Sequence, residues 1–366
     1  MATLTTPPQP ASAKQPKKQF IRRFTSDHSQ RIRHTVQWLF MALNVWIGVQ
    51  FLLWVRYFES GGHGLHVARP AGVEGWLPIA GLMNVKYLLA TGKVPPIHPA
   101  AMYLFLGFLL ISVVVKKAFC SWLCPVGTIS EALWKLGRSL FRRNFRLHKW
   151  VDIPLRGLKY ILLGLFVGLI GYMSASTLLG FMYTPYGLVV DVKMMNFFRG
   201  MSFTAAMIVA SLVLLSMLVQ NFWCRYLCPY GALMGLVSLL SPVKIRRDQE
   251  ACIDCGKCAR ACPAHLPVDK LVQIRSVECA SCMACVEACP AQDGLQLALP
   301  PRREATAAAR WRRRVAKPAL VTAVVVYIFV GVVLVARATN HWQTVVPDSV
   351  YMRLVSHASQ LGHPGM

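Results

Sequence analysis

The sequence predicts an α-helical integral membrane protein of about five transmembrane helices, with a small α+β domain inserted before the last one. Three observations carry this. Of 366 residues, 55% are hydrophobic and only 15% charged, where an ordinary soluble domain has about 25% charged. Mean hydropathy is positive, at +0.44. Five apolar runs reach the roughly 17–25 residues that a membrane helix needs, and eight of the twelve cysteines crowd into 252–290, between the fourth run and the fifth.

In chain order, residues 1–34 read as a basic, disordered tail, because 1–20 are rich in Pro, Thr, Lys and Gln. The first apolar run starts too late, and is too long, for a cleaved signal peptide. That run, 35–55, is the first span. Segment 75–92 is apolar but interrupted by Pro78, Asn84 and Lys86, which suits an interfacial or re-entrant helix. The second span, 100–119, closes on Lys116 and Lys117, whose stems can snorkel to headgroups. The third and fourth are 160–179 and 202–222, so that 35–240 forms a membrane domain. A cysteine-rich domain at 241–300 and a basic linker at 301–318 precede the last span, 319–336, and a tail at 337–366.

The formal charge of +25 would by itself suggest a nucleic-acid partner, but its distribution points elsewhere. Segments 1–34, 116–159 and 223–317 hold 7, 10 and 15 Lys and Arg; segments 56–99, 180–199 and 337–366 hold 4, 2 and 2. Cytoplasmic loops collect Lys and Arg. The expected placement is therefore a multi-pass protein of a bacterial inner membrane, with a cytoplasmic N-terminus and cysteine-rich domain and a periplasmic C-terminus. Lipid is the expected partner, and nucleic acid is not.

The cysteine-rich domain contains Cys252-Ile-Asp-Cys255-Gly-Lys-Cys258-Ala-Arg-Ala-Cys262-Pro and Cys279-Ala-Ser-Cys282-Met-Ala-Cys285-Val-Glu-Ala-Cys289-Pro. Each is the C-x2-C-x2-C-x3-C-P run that holds [4Fe–4S] clusters in bacterial two-cluster ferredoxins, where the fourth cysteine ligates the other cluster. The first cluster would then take Cys252, Cys255, Cys258 and Cys289, and the second Cys279, Cys282, Cys285 and Cys262. A structural zinc site needs four ligands and has no use for the duplicated C-P; disulfides are rare in the reducing compartment expected here. Ile253 and Val286 are placed to cover the clusters.

The remaining four cysteines form an internal repeat. Phe119-Cys-Ser-Trp-Leu-Cys-Pro-Val-Gly127 matches Trp223-Cys-Arg-Tyr-Leu-Cys-Pro-Tyr-Gly231. Each follows a span and precedes a further apolar stretch, 128–140 or 232–240. Thr128 and Glu131 have capping-box spacing, which supports a helix restart there. Cysteines at i and i+4 share a helical face, and repeated halves commonly meet at a functional site. Cys120, Cys124, Cys224 and Cys228 are thus expected to converge on one centre. Three readings stay open: a further metal or cluster site, a redox dithiol or copper-handling site, or buried structural cysteines.

Two C-x3-C-P turns after spans, followed by a double ferredoxin motif, resemble the NapH/NosR/CcoG-type membrane polyferredoxins, and within them the YccM-like electron-transport proteins, over roughly 35–340. The resemblance implies an inner-membrane protein passing electrons between the quinone pool, cytoplasmic clusters and an extracytoplasmic redox partner, with the twelve cysteines as ligands. NosR-type members carry an outer flavin-binding domain at the N-terminus and CcoG-type members an outer globular domain at the C-terminus. Neither is expected in this sequence, so donor and acceptor are not carried over.

Other candidates are weaker. His63, His66, His98, His341, His357 and His363 fall on the expected outer side, and His28, His34, His148 and His265 on the inner; the outer ones could make a copper or haem-partner site, but they read better as ordinary surface or interfacial residues. Asp191 and Lys193, near an outer span end, could serve a quinone pocket but better suit an interfacial ion-pair role. No C-x-x-C-H, phosphate loop or nucleotide-binding glycine motif occurs, and no catalytic residue or quinone pocket is recognisable. The function expected is membrane-bound iron–sulfur electron transfer, of which a quinol dehydrogenase subunit would be one form. The alternatives are copper handling or reduction at the C-x3-C-P cysteines, and redox sensing.

Overall fold

The computed structural model describes residues 23, 28–299 and 316–362. The remainder of the expected tail, most of the linker at 301–318, and His363 lie outside the described residues. Among the described residues, three helices are long and apolar enough to cross a membrane: α1 (Ser29–Glu59), α6 (Lys149–Tyr172) and α14 (Pro318–Ala338). Helices α9 (Val190–Arg199) and α10 (Phe203–Leu218) would make a fourth crossing only as a pair, and they are bent by 82°.

The second expected span is shorter than predicted. Helix α3 (Pro99–Val114) starts with Pro at its first turn and ends before Lys116, whose φ is +60°. Its 16 residues span about 24 Å, less than the roughly 30 Å hydrocarbon core. Lys116 and Lys117 do not snorkel. Both are buried, at 0% and 5% exposure, and Lys116 Nζ donates to the Ile274 carbonyl at 2.7 Å. They face protein because the cysteine-rich domain covers the end of α3.

Helix α6 begins eleven residues before the expected 160, since its charged first turns are satisfied by protein. Asp152 takes Arg225 and Tyr226, and Lys159 Nζ reaches Glu278 Oε1 at 2.6 Å. It ends before Ser174, which caps α7 (Ala175–Met182) by accepting from the Thr177 N–H. The α6 C-terminus is also met by Lys86 Nζ, which donates to the Ile170 and Gly171 carbonyls. Lys86 lies on α2 (Pro78–Thr91), the helix expected within 75–92, which starts on Pro78 and stops at left-handed Gly92. After α7 a single turn, α8 (Pro185–Leu188), leads to α9.

A reciprocal packing pattern organises the rest. Helix α3 leads through α4 (Ala118–Trp122) to α5 (Pro125–Phe141), and α10 leads through a π turn (Trp223–Leu227) to α11 (Pro229–Val237). Helix α5 packs on α10 and α11 packs on α3, so each copy of the repeat rests on the apolar helix of the other. A Cβ on Gly137 would lie 2.0 Å from the Met217 carbonyl oxygen, which shows how closely α5 and α10 approach.

The domain expected at 241–300 is α+β, and its described part extends to residue 299. Strand β1 (Lys244–Arg247) pairs antiparallel with β2 (Leu295–Ala298), Lys244 opposite Ala298, and α12 (Lys257–Ala261) and α13 (Ala284–Glu287) follow the cysteine loops. Its apolar residues Val268, Ile274, Met283 and Leu297 share one buried cluster with Phe108, Trp122 and Val325 of the helical part. Domain and helices therefore have a continuous core. Helix α15 (Asp348–Val355) buries Tyr351 and Val355 against Trp54 and Phe58 of α1.

Candidate functional site

Each repeated C-P-x-G is a helix start. Proline disfavours the α region for the residue before it, and Cys124 (φ −60°, ψ 118°) and Cys228 (φ −73°, ψ 105°) are extended, serving as the N-caps of α5 and α11. Pro125 and Pro229 open the helices, and the Gly231 N–H donates to Cys228 Sγ at 3.2 Å. A sulfur at a helix N-terminus faces unpaired N–H groups and the positive end of the dipole. The cysteines of each pair therefore straddle a break between helices and do not share one helical face as expected. The capping box is also absent: Thr128 Oγ1 donates to the Cys124 carbonyl, and Glu131 is held by both Arg33 guanidinium nitrogens at 2.7 Å.

The four repeat cysteines lie in one electrostatic neighbourhood. Cys124 lies within electrostatic reach of Cys120, Cys224 and Cys228, as Cys224 does of Cys120 and Cys228. The first helix contributes to this neighbourhood too. Arg33 and Gln37 both donate to the Ser121 carbonyl, and Gln30 Nε2 donates to the Cys282 carbonyl at 2.7 Å. These anchors make 29–34 helical where a disordered tail was expected.

The ferredoxin loops share an unusual backbone. Left-handed residues flank the middle cysteine of each: Asp254 and Gly256 around Cys255, Ser281 and Met283 around Cys282, with φ between +51° and +67°. Alternating left- and right-handed residues turn successive N–H groups into one concavity, the anion-binding nest found at many iron–sulfur sites. The interaction neighbourhoods cross between the motifs. Cys289 lies with Cys252 and Cys255, and Cys258 with Cys289 and Cys252. Cys262 lies with Cys279, and Cys285 with Cys282, Cys279 and Cys262 and, last in order of strength, with Cys258 of the other set. Burial pushes Cys258 up to about 11 and Cys282 up to about 12, so these thiols keep their protons at neutral pH unless a metal displaces them.

A cavity of about 450 Å³ joins the two regions: Cys262, Cys279, Cys282 and Cys285 line it together with Cys120 and Cys224. Ser121, between the first pair of repeat cysteines, donates to the Ala280 carbonyl at 2.6 Å, and Trp122 Nε1 donates to the Ser281 carbonyl. In the same cavity Ser281 Oγ is buried without a hydrogen-bond partner. A hydroxyl left open beside two cysteines fits a cluster whose sulfurs accept hydrogen bonds. Among the described residues, no three His, Cys, Asp or Glu side chains gather as a single metal ion would require.

Elsewhere, Asp191 and Lys193 do not pair with each other. Asp191 binds Arg69 at 2.6 Å, and Lys193 Nζ donates to the Ala358 carbonyl at 2.8 Å. His98 is not a surface residue: it is buried between Glu74 and the Gly187 carbonyl. Lys117, Lys159 and Glu278 were missed as site residues. All three lie beside the repeat cysteines, and only the docking of the domain brings them there.

Comparison with known proteins gives matching results. A family profile described as a 4Fe-4S binding domain matches twice, at 97–148 and 201–248, once on each C-x3-C-P copy, and one described as a 4Fe-4S dicluster domain matches 244–290. The chain is 49% identical over 334 residues to YccM of Escherichia coli (strain K12), whose name is that of an electron transport protein, covering 90% of this chain and 91% of that one. It is 30% identical over 194 residues to the ferredoxin-type protein NapH of Escherichia coli (strain K12), 51% of this chain and 61% of that one. It is 32% identical over 175 residues to the methylamine utilization ferredoxin-type protein MauN of Paracoccus denitrificans, 45% of this chain and 56% of that one. No solved structure matches. The chain is a membrane protein that carries iron–sulfur ferredoxin-type domains, and it belongs to the family of YccM-like electron-transport proteins.

Proposed function

We propose that the protein relays electrons between the membrane and its ferredoxin domain through adjoining cysteine-held centres, linking the quinone pool or a cytoplasmic donor with an extracytoplasmic redox partner. One observation carries the reading: the cavity at which Cys120 and Cys224 of the repeat meet Cys262, Cys279, Cys282 and Cys285 of the ferredoxin domain. When bound, iron–sulfur clusters supply reversible one-electron transfer at potentials set by burial and hydrogen bonds to sulfur. Cys252, Cys255, Cys258 and Cys289 would hold the outermost cluster, and Cys279, Cys282, Cys285 and Cys262 the one against the helices. Cys120, Cys124, Cys224 and Cys228 would hold a further centre. The two profile matches on the repeat support iron there.

The chain's own part is positioning. Ser121 and Gln30 clamp the loop of the inner cluster to α4 and α1. The Lys159–Glu278 pair ties the residue before Cys279 to α6. The organisation proposed from the sequence places the ferredoxin domain in the cytoplasm and the C-terminus in the periplasm of a bacterial inner membrane.

Crossed ligation tests the assignment. Cys289→Ser should damage the cluster bound by Cys252, Cys255 and Cys258 and spare the one bound by its own sequence neighbours, as read by paramagnetic resonance of the reduced protein. Loss confined to the centre at Cys279, Cys282 and Cys285 would refute the ligand sets.

A further inference from the structure

A second cavity, of about 320 Å³, lies away from the cysteines, between α2, α7 and α9; Leu77, Met83, Phe181, Met182 and Val190 form much of its wall. Asn84 lines it and is completely buried. Its Nδ2 donates to the Ile97 carbonyl at 3.1 Å and to the His98 carbonyl at 2.7 Å, which fixes which end of the amide is oxygen. The Oδ1 has no hydrogen-bond partner. A buried acceptor without a partner in the wall of an apolar cavity calls for a donor.

None of the wall's other side-chain donors, Trp76, His98 and Tyr186, is bonded to that oxygen. His98 Nε2 is occupied by the Gly187 carbonyl at 2.9 Å and Nδ1 by Glu74 Oε1 at 3.2 Å. Both partners accept, so both ring nitrogens donate to them. The Trp76 indole N–H goes to Asn44 Oδ1 at 3.1 Å. Trp76 and Ile79 are exposed, giving an apolar approach suited to a ligand that arrives from a bilayer.

We propose that this cavity binds a membrane-soluble hydroquinone, with a ring hydroxyl donating to Asn84 Oδ1 and the ring held among the apolar side chains. An acceptor at this point favours the reduced, hydroxyl-bearing ligand. The oxidised quinone presents only carbonyl acceptors and gains nothing from Asn84. The site gives the quinone link of the proposed function a location and depends on that reading only for the class of ligand. Binding can be measured whether or not the cysteine route carries electrons.

The test is anaerobic titration calorimetry of the full-length, detergent-solubilised protein with a decyl-substituted benzohydroquinone, its dimethyl ether and the corresponding quinone. The hydroquinone should bind about tenfold or more tightly than the ether or the quinone, the range expected for satisfying one buried acceptor. Asn84→Leu should erase that preference. Ala80→Phe, which fills the cavity one helical turn before Asn84, should abolish hydroquinone binding while iron content stays that of the parent protein. Equal binding of hydroquinone and ether, binding unaffected by Ala80→Phe, or no binding to the parent protein would each overturn the proposal. Loss of the iron–sulfur signals with binding intact would instead count against the electron route alone.

Discussion

Gly127 and Gly231 occupy the same place in the two repeats but are not equally constrained. A Cβ on Gly127 would lie 2.2 Å from the Cys120 carbonyl oxygen, whereas on Gly231 it would find Cys228 Sγ at 3.5 Å and the Cys224 carbonyl at 3.6 Å. The first contact is with backbone and cannot be relieved by a rotamer change; the second is ordinary packing. Gly127→Ala should destabilise by about 1–3 kcal/mol or more through overpacking. Gly231→Ala should be neutral or gain up to about 1 kcal/mol from helix propensity. Thermal unfolding of the two variants checks this. Ser281 makes a second residue-level prediction. If its open hydroxyl donates to cluster sulfur, Ser281→Ala should lower the midpoint potential of the cluster beside Cys279 and leave the other cluster's potential in place, as followed by a redox titration. The twelve cysteines stand out as candidates in the sequence because motif spacing reports loop chemistry. Ser281 and Asn84 do not, since an unpaired buried atom exists only once distant segments enclose it.

Helix boundaries follow from capping and from partners as well as from hydropathy. The charged start of α6 ended the apolar run in the sequence, yet Arg225 and Glu278, from remote segments, allow the helix to begin there. The C-x3-C pairs suggested one helical face, and the proline after each second cysteine turned that cysteine into a cap instead. Glu131 shows how such partners hold elements together. Burial alone would raise its pKa, but the Arg33 guanidinium bonded to it, aided by Lys135, brings it from 4.5 to about 2. A lowered folded-state pKa stabilises fully above the unfolded value and loses that contribution as pH falls through the folded one. The pairing of α1 with α5 should therefore weaken between about pH 4.5 and about pH 2, seen as faster amide exchange in α5. Glu131→Gln should remove that pH dependence.

Across the whole molecule, the sequence made the class legible: apolar helices, ferredoxin-type domains and a duplicated cysteine turn. The reciprocal packing of α5 on α10 and α11 on α3 was not legible, because it depends on how the two copies face each other. Neither was the identity of the ferredoxin loop that docks against the helices. Topology remains a prediction from the sorting of Lys and Arg. Reporter fusions after Phe198 and at the C-terminus should behave as periplasmic, and a fusion after Leu299 as cytoplasmic; a cytoplasmic C-terminus would contradict the placement. The central claim is that the repeat cysteines form one iron-holding centre continuous with the ferredoxin domain. It is tested most directly by the iron content of anaerobically purified protein, compared among the parent, Cys124→Ser, Cys228→Ser and the double variant. The parent should hold appreciably more than the about eight irons of two [4Fe–4S] clusters. Either single variant should fall toward about eight, and the double should fall no further, because ligands of one centre act as a unit. About eight irons in all four proteins, or losses that add in the double variant, would contradict the claim.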